Sequence, residues 1–254
     1  MKKIKLDPNR INQKIYDRFA RSYWEKRQDL KRSLYNEFLE IRPMRKILLP
    51  LINEKKSKKK ILDLGCGSGQ MSAWISKCDP HAKVIGVDAS SKMLELAKEN
   101  YSYLQFEQTF SHKLYFADKY FDIVTSSLMI HYLKDLGPTF KAVSRVLKNH
   151  GHFVFSIHHP VGEVLKKNKY GALVLKNYFH QDWYRWKMFP GMNLMSYHHT
   201  FETIVEALNK NHFSLLEIIE PRPAKILAKR YPDFYKSSSQ NPSFCLLHAV
   251  RRPR

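Results

Sequence analysis

The sequence predicts an α/β fold built on a mainly parallel sheet, and three observations predict it. Short apolar runs of strand length alternate with helix-spaced apolar residues along most of the chain. Ile61-Leu62-Asp63-Leu64 reads as a buried strand, and Gly65, Gly67 and Gly69 follow it at alternate positions before a helix-like run from Met71. A second strand-like run, Lys83-Val84-Ile85-Gly86-Val87, closes on Asp88, 23 positions after Gly65. Strand, glycine turn and helix together form a crevice that faces a phosphate or nucleotide. Glycine suits that turn because a Cβ would block close approach of a ligand to the backbone.

The spacing narrows the ligand. Gly65, Gly67 and Gly69 give G-x-G-x-G, not the G-x-G-x-x-G of dinucleotide sites, and no Gly-Lys-Ser/Thr closes a P-loop. A carboxylate at the end of the second strand, Asp88, can accept both hydroxyls of a ribose.

The chain of 254 residues is long enough for one large α/β domain with additions, and 43% apolar residues is ordinary for a globular protein. No run approaches the ~18 apolar residues of a membrane span. The basic N-terminus, Met1 to Pro8, has no apolar h-region, so no signal peptide is expected. The three cysteines, Cys66, Cys78 and Cys245, are too few and too scattered for a disulfide frame or a zinc site, which points to a reducing cytoplasm. Lys and Arg number 44 against 23 Asp and Glu. That excess suits RNA, an anionic membrane surface met peripherally or acidic ligands, and equally a solvated basic surface.

In chain order, Ile11, Ile15, Phe19 and Tyr23, then Leu34, Phe38 and Ile41, recur at helical spacing, with Pro43 and Pro50 as punctuation. Lys55 to Lys60 holds five lysines in six positions and reads as a solvated turn, since no aromatic residue is interleaved. Met71, Trp74, Ile75 and Cys78 form a helix face that Asp79-Pro80 ends. Ser90 or Ser91 caps the next helix, which stops near Asn100. Tyr103, Leu104 and Phe106 suggest strand three, and Tyr120 to Ser127 strand four. Pro138 starts a helix that Asn149 to Gly151 ends. His152 to Ile157 is strand five, with His158-His159-Pro160 at its carboxyl end. Residues 161–199, rich in aromatic side chains, do not fit the repeat and read as an inserted lid. Thr200 caps a helix, Phe213 to Ile219 is strand six, and Ser243 to Val250 is strand seven. The expected divisions are 1–57, 58–160, 161–199 and 200–254: a helical segment, the nucleotide-facing core, the lid or substrate region, and the return to the core sheet.

Ile61 to Gly69 with Asp88 resembles the class I S-adenosylmethionine-dependent methyltransferases. The second half looks like a group of methyltransferase type 11, similar to ubiquinone- and menaquinone-biosynthesis enzymes acting on small molecules. Three features carry that likeness: His159-Pro160, Tyr197-His198-His199 (where that group has Tyr-His-Arg) and Glu220-Pro221-Arg222-Pro223. The resemblance implies a Rossmann-like seven-stranded, mainly parallel sheet with helices on both faces. It also implies an N-terminal helical cap over the cofactor, in which Tyr16-Asp17-Arg18-Phe19-Ala20-Arg21-Ser22-Tyr23 matches a cofactor-reaching stretch. S-adenosylmethionine, released as S-adenosylhomocysteine, is the implied cofactor, with no metal. Its implied site is Asp63, Gly65, Cys66, Gly67, Gly69, Asp88, Ala89, Met93, Phe110, Ser126 and Tyr23, with Tyr16 read as packing. The family often has an acidic residue for the adenine amino group near Phe110. None stands here, so backbone groups and apolar contact with Phe110 are expected to hold the base.

Methyl transfer to oxygen requires the acceptor to lose a proton, and histidine is suited to take it. His158, His159 and His131 lie at strand carboxyl ends, where the acceptor belongs. His158 and His159 point to opposite sides of their strand, so only one can face the crevice. Trp183, Trp186, Tyr197 and His198 are the candidate acceptor contacts, although an inserted helix would also need such aromatics as anchors. The expected function is methyl transfer to an O, N or C atom of a small molecule. The strongly basic charge suggests an RNA methyltransferase as the alternative, but the segments that chemistry needs are missing. Ser126-Ser127-Leu128-Met129 replaces an Asn/Asp-Pro-Pro-Tyr/Phe-like segment, and no cysteine nucleophile follows strand four or five. A non-catalytic cofactor- or partner-binding protein is the third alternative.

Overall fold

The structure is a computed structural model that describes residues 7–54 and 58–253. The expectations placed on Met1 to Leu6, on Lys55 and Lys56, and on Arg254 lie outside the described residues.

α1 (Pro8–Gln28) opens the chain, capped by Asp7, whose carboxylate accepts from the Asn9 amide. After a 3₁₀ turn come α2 (Leu34–Asn36), a π-helical stretch over Glu37–Ile41, and α3 (Arg42–Asn53). The two prolines do not break this region as expected. Pro43 sits in the first turn of α3, where no amide donor is needed, and Pro50 lies inside the helix. Burial of Met44, Ile47, Leu48 and Ile52 holds α3 together across the bond that Pro50 removes.

The core alternates: β1 (Lys60–Leu64), α4 (Gln70–Cys78), β2 (Lys83–Asp88), α5 (Ser91–Asn100), β3 (Gln105–Gln108), β4 (Phe121–Ser126), α6 (Gly137–Val146) and β5 (Leu147–His158). Ser90 is the cap of α5, its hydroxyl accepting from the Met93 amide. α6 ends at Val146, earlier than the Asn149–Gly151 expected. Buried Leu147 already pairs with Phe121 in the sheet. β3 starts two residues later than read.

The insertion holds a short helix and two hairpins. These are α7 (Pro160–Val164), then β6 (Leu165–Lys167) with β7 (Leu173–Leu175), and β8 (Trp183–Phe189) with β9 (Met192–Tyr197). The inserted helix envisaged for its aromatics is corrected. Burial in β9 alternates, with Met192, Leu194 and Ser196 turned inward, which is the period of a strand. The chain ends with α8 (Phe201–Lys210), β10 (Phe213–Ile219), α9 (Leu227–Arg230), α10 (Pro232–Gln240) and β11 (Phe244–Arg251). α9 and α10 were not read from the sequence. They carry Leu227 and Phe234 against Leu39 and Phe38, so they are anchored on the N-terminal segment.

The seven-stranded sheet has the order β3-β2-β1-β4-β5-β11-β10, with only β11 antiparallel to its neighbours. Both faces are covered. Ile61, Val84, Ile123 and Val154 pack with α3 and α4, while Leu62, Ile85, Val124 and Phe153 pack with α6 and α8. Each such side chain contributes ~1.5–3 kcal/mol on burial. Chain order reverses between β1 and β4, which opens a crevice at their carboxyl ends.

Candidate active site

A cavity of about 960 Å³ lies at that crevice. One wall is the glycine turn. Gly65, Gly67 and Gly69 have φ of 73°, 54° and 81°, in the left-handed region that favours glycine. The expected reason for glycine needs correction at two of them. A Cβ on Gly65 would strike the Met129 side chain at 2.6 Å, and one on Gly69 the Phe106 ring at 2.8 Å. Packing and conformation, not ligand clearance, exclude side chains there.

Asp88 closes the turn. One carboxylate oxygen accepts from the Gly67 amide at 2.8 Å and the other from the Ser90 amide at 2.9 Å. Burial raises its pKa, against the pull of those two bonds. Gly65, Gly67, Asp88, Ala89, Met93 and Phe110 all line the cavity. Thr109, Ser111 and His112 stand beside Phe110 and supply the polar edge that no carboxylate provides.

α1 forms a roof over this wall. The Gln13 amide donates to the Ala89 carbonyl at 2.9 Å, and the Ser90 hydroxyl donates to Asp17 at 2.6 Å. Tyr23 lines the cavity, and so does Tyr16, which the sequence left as packing. Tyr16 and Tyr132 share a hydroxyl hydrogen bond of 2.8 Å. Burial raises both phenols, so they stay protonated at neutral pH.

Four expected cofactor residues do not reach this cavity. Asp63 and Cys66 line a smaller adjoining one of about 70 Å³, with Arg27 and Arg45. Burial pushes Asp63 up to about 7, although the Ser72 hydroxyl donates to it at 2.6 Å. Gly69 caps α4, and Ser126 donates to the Leu64 carbonyl at 2.8 Å, tying β4 to β1; neither lines either of these two cavities.

The opposite wall comes from far along the chain: His131, His158, Trp186, Met188, Phe189 and Phe244. The His131 and His158 rings stack at 3.9 Å between centroids, and Trp186 meets His158 edge-on at 4.7 Å. Both ring nitrogens of His131 are buried without a hydrogen-bond partner among the described residues. Burial lowers the pKa of both histidines, that of His158 to about 4, so both are neutral at pH 7.

His159 faces away from the cavity, which corrects its candidacy. Its Nδ1 accepts from the Val161 and Gly162 amides, and Nε2 pairs with Glu220 at 2.7 Å, so it caps α7. Trp183, Tyr197 and His198 are likewise corrected as acceptor contacts. Trp183 packs edge-on against Tyr197, whose hydroxyl donates to the Gln181 carbonyl, and His198 is buried between Glu163 and the Tyr178 carbonyl. They hold the insertion together. Tyr132, Phe189 and Phe244 were missed. A period of two from Trp186 reaches Met188 but not Phe189, which lines the cavity beyond a register shift between Lys187 and Phe189.

Fold and site together define an α/β protein of the nucleoside-binding kind, with a largely aromatic wall in the cavity at its strands' carboxyl ends. A family described as "Methyltransferase domain" matches residues 62–155, from β1 through β5. A solved S-adenosylmethionine-dependent methyltransferase from Mesorhizobium loti is similar at 26% identity and a TM-score of 0.69, over 82% of this chain and 98% of that one. A demethylmenaquinone methyltransferase of Chlorobaculum parvum is 35% identical over 115 residues, 45% of this chain and 47% of that protein. The chain therefore spans about half the length of that relative. A Haemophilus influenzae protein described as uncharacterized is 29% identical over 231 residues, 84% of this chain and 87% of that one. The matched domain and these likenesses support a class I S-adenosylmethionine-dependent methyltransferase. Among the described residues no group of three or more His, Cys, Asp or Glu could hold a metal ion, and no helix is long and apolar enough to cross a membrane.

Proposed function

We propose that the protein methylates a hydroxyl of a small molecule held in the large cavity, with His158 as the proton acceptor. One observation carries this reading: a neutral imidazole in the cavity wall across from the glycine turn and Asp88. The cofactor fits the residues present. Asp88, backed by two amides, keeps lone pairs for a diol, and the turn at Gly65 and Gly67 is bare main chain on the cavity side. When bound, S-adenosylmethionine supplies an electrophilic methyl carbon, and the electron pair of its bond to sulfur returns to a neutral thioether.

The protein's share is positioning and proton transfer. Holding two reactants in line offsets ~7–11 kcal/mol of a barrier. Tyr16, Tyr23 and Tyr132 set aromatic rings around the cavity, suited to a sulfonium charge at ~0.5–2 kcal/mol each. His158 takes the proton that the acceptor oxygen gives up, so the positive charge lost from sulfur reappears on the imidazole. Residues 161–199 serve as the acceptor-side wall in this reading, and 1–57 as the cofactor roof.

Trp186, Met188, Phe189 and Phe244 favour an apolar or aromatic acceptor. The named relatives include a demethylmenaquinone methyltransferase and a malonyl-[acyl-carrier protein] O-methyltransferase, so their acceptors differ from one another. The net charge of +21 would serve attraction to anionic surfaces, while the apolar wall of Trp186, Met188, Phe189 and Phe244 favours a small molecule over RNA. The test is incubation with methyl-labelled cofactor and a small-molecule extract, followed by mass spectrometry. A labelled phenol or enol ether supports the reading; label confined to RNA overturns it.

A further inference from the structure

Behind His158, away from the cavity, runs a buried chain of polar side chains. His158 Nδ1 lies 3.0 Å from the Tyr184 hydroxyl, which lies 2.5 Å from Glu163 Oε1. Glu163 Oε2 lies 2.7 Å from His198 Nδ1, and His198 Nε2 lies 2.8 Å from the Tyr178 carbonyl. The side chains of Glu163 and His198 are only 5% and 4% exposed, so each of these bonds must be satisfied within the protein. α7 brings Glu163, β8 brings Tyr184, and the residue after β9 brings His198. The chain thus joins three pieces of the insertion to the end of β5.

We propose that Tyr184 and Glu163 are positioning residues that fix His158 as the tautomer protonated at Nδ1, so that its lone pair at Nε2 is kept for the acceptor. The inference rests on the proposed role of His158 and deepens it.

The direction of every hydrogen follows from the far end. A carbonyl only accepts, so His198 Nε2 carries a proton. Glu163 and His198 then share one further proton at the 2.7 Å contact. If it sits on His198, Glu163 is an acceptor at both oxygens. If it sits on Glu163 Oε2, Oε1 is still an acceptor. In both cases the Tyr184 hydroxyl donates to Glu163, and its oxygen is left to accept from His158 Nδ1–H. The reverse order would need a protonated Glu163 beside a doubly protonated His198. That buries a net positive charge, which is the costliest arrangement.

Burial raises Glu163, with His198 and Tyr184 opposing. Burial pulls His198 down, but Glu163 and the Tyr178 carbonyl outweigh it and raise its pKa. Both directions keep the shared proton in place at neutral pH. His158 Nε2 has no hydrogen-bond partner among the described residues, and the ring lines the cavity. When Nε2 takes a proton, the new positive charge faces Glu163, whose Oε1 is 3.9 Å from Nδ1. The ring plane is held separately, by the stack on His131 and the edge of Trp186.

The experiment is nitrogen NMR of ¹⁵N-histidine-labelled protein at pH 7 with S-adenosylhomocysteine bound, His158→Gln identifying the signal. The wild type is expected to show a protonated Nδ1 and an unprotonated Nε2 at His158. Tyr184→Phe removes the acceptor and releases the tautomer toward Nε2–H. Glu163→Leu leaves the Tyr184 hydroxyl without its acceptor, so it turns to donate to Nδ1 and favours Nε2–H. If either variant fails to fold, the wild-type spectrum and the other variant decide. Methyl incorporation falls roughly 10²-fold or more in both variants, with S-adenosylhomocysteine affinity unchanged. A wild-type His158 protonated at Nε2, or a tautomer that survives both substitutions, overturns the proposal. Full methyl transfer in His158→Gln would instead overturn the reading of His158 as base, and leaves the tautomer result to be judged by itself.

Discussion

The two walls of the large cavity are built on different principles. In the proposed reading the cofactor wall comes from Gly65, Gly67, Asp88, Ala89 and Met93, all within two neighbouring βα units, and its key contacts are main-chain amides. The acceptor wall gathers His131, His158, Trp186 and Phe244 from widely separated elements, and its key contacts are between side chains. A wall of backbone held by one carboxylate admits few variations. A wall of side chains on an insertion changes with each substitution. The acceptors named for two relatives differ from one another accordingly.

Substitutions on the two walls should therefore separate methyl transfer from cofactor binding. The largest effect is expected for His158→Gln. Loss of a general base costs ~10²–10⁴-fold in rate, read as labelled methyl incorporation, with cofactor affinity preserved. A loss of affinity in that variant would blur the distinction between the walls.

The next is a pH effect. His158 titrates at about 4 because of burial, against an unfolded value near ~6.5. As pH falls through that window the unfolded chain takes a proton that the folded site refuses, so stability is lost. His131, Glu163, Tyr184 and Trp186 surround the ring and remain in His158→Gln, so the difference between wild type and variant isolates this one group. The gap should favour the wild type less and less below pH ~6.5, by up to ~3 kcal/mol near pH 4, measured by denaturant unfolding. A constant gap would mean that His158 is charged in the folded protein.

Third is Asp88→Ala. Losing a carboxylate that holds a diol and two amides costs ~3 kcal/mol, about 100-fold in affinity for S-adenosylhomocysteine. Smallest is Gly69→Ala, which forces a left-handed φ of 81° and a contact with Phe106. It should lower unfolding free energy by ~1–3 kcal/mol in thermal melts, with binding following only as far as the turn shifts.

The contrast also explains what the sequence could convey. β1, the glycine turn, β2 and Asp88 were legible because the periodicity and the motif lie within one short stretch. The Ser90 cap and the Thr200 cap follow from equally local chemistry. His158 was legible as a residue at a strand's carboxyl end, but the choice between it and His159 depended on Glu220, a partner 61 positions away. Trp186 and Trp183 share one strand and nearly the same composition around them, and only the pairing of β8 with β9 decides which faces the cavity. Glu163 gave no signal, because its meaning lies in two partners, Tyr184 and His198, that stand 21 and 35 positions away. Pro50 misled because buried apolar contacts outweighed a local breaking signal.

Titration calorimetry with S-adenosylhomocysteine on wild type, Asp88→Ala and Tyr184→Phe tests the division between the walls most directly. Binding is expected in the wild type, the same affinity in Tyr184→Phe, and a loss of about 100-fold in Asp88→Ala. Undiminished binding without the Asp88 carboxylate, or weakened binding without the Tyr184 hydroxyl, would contradict the account.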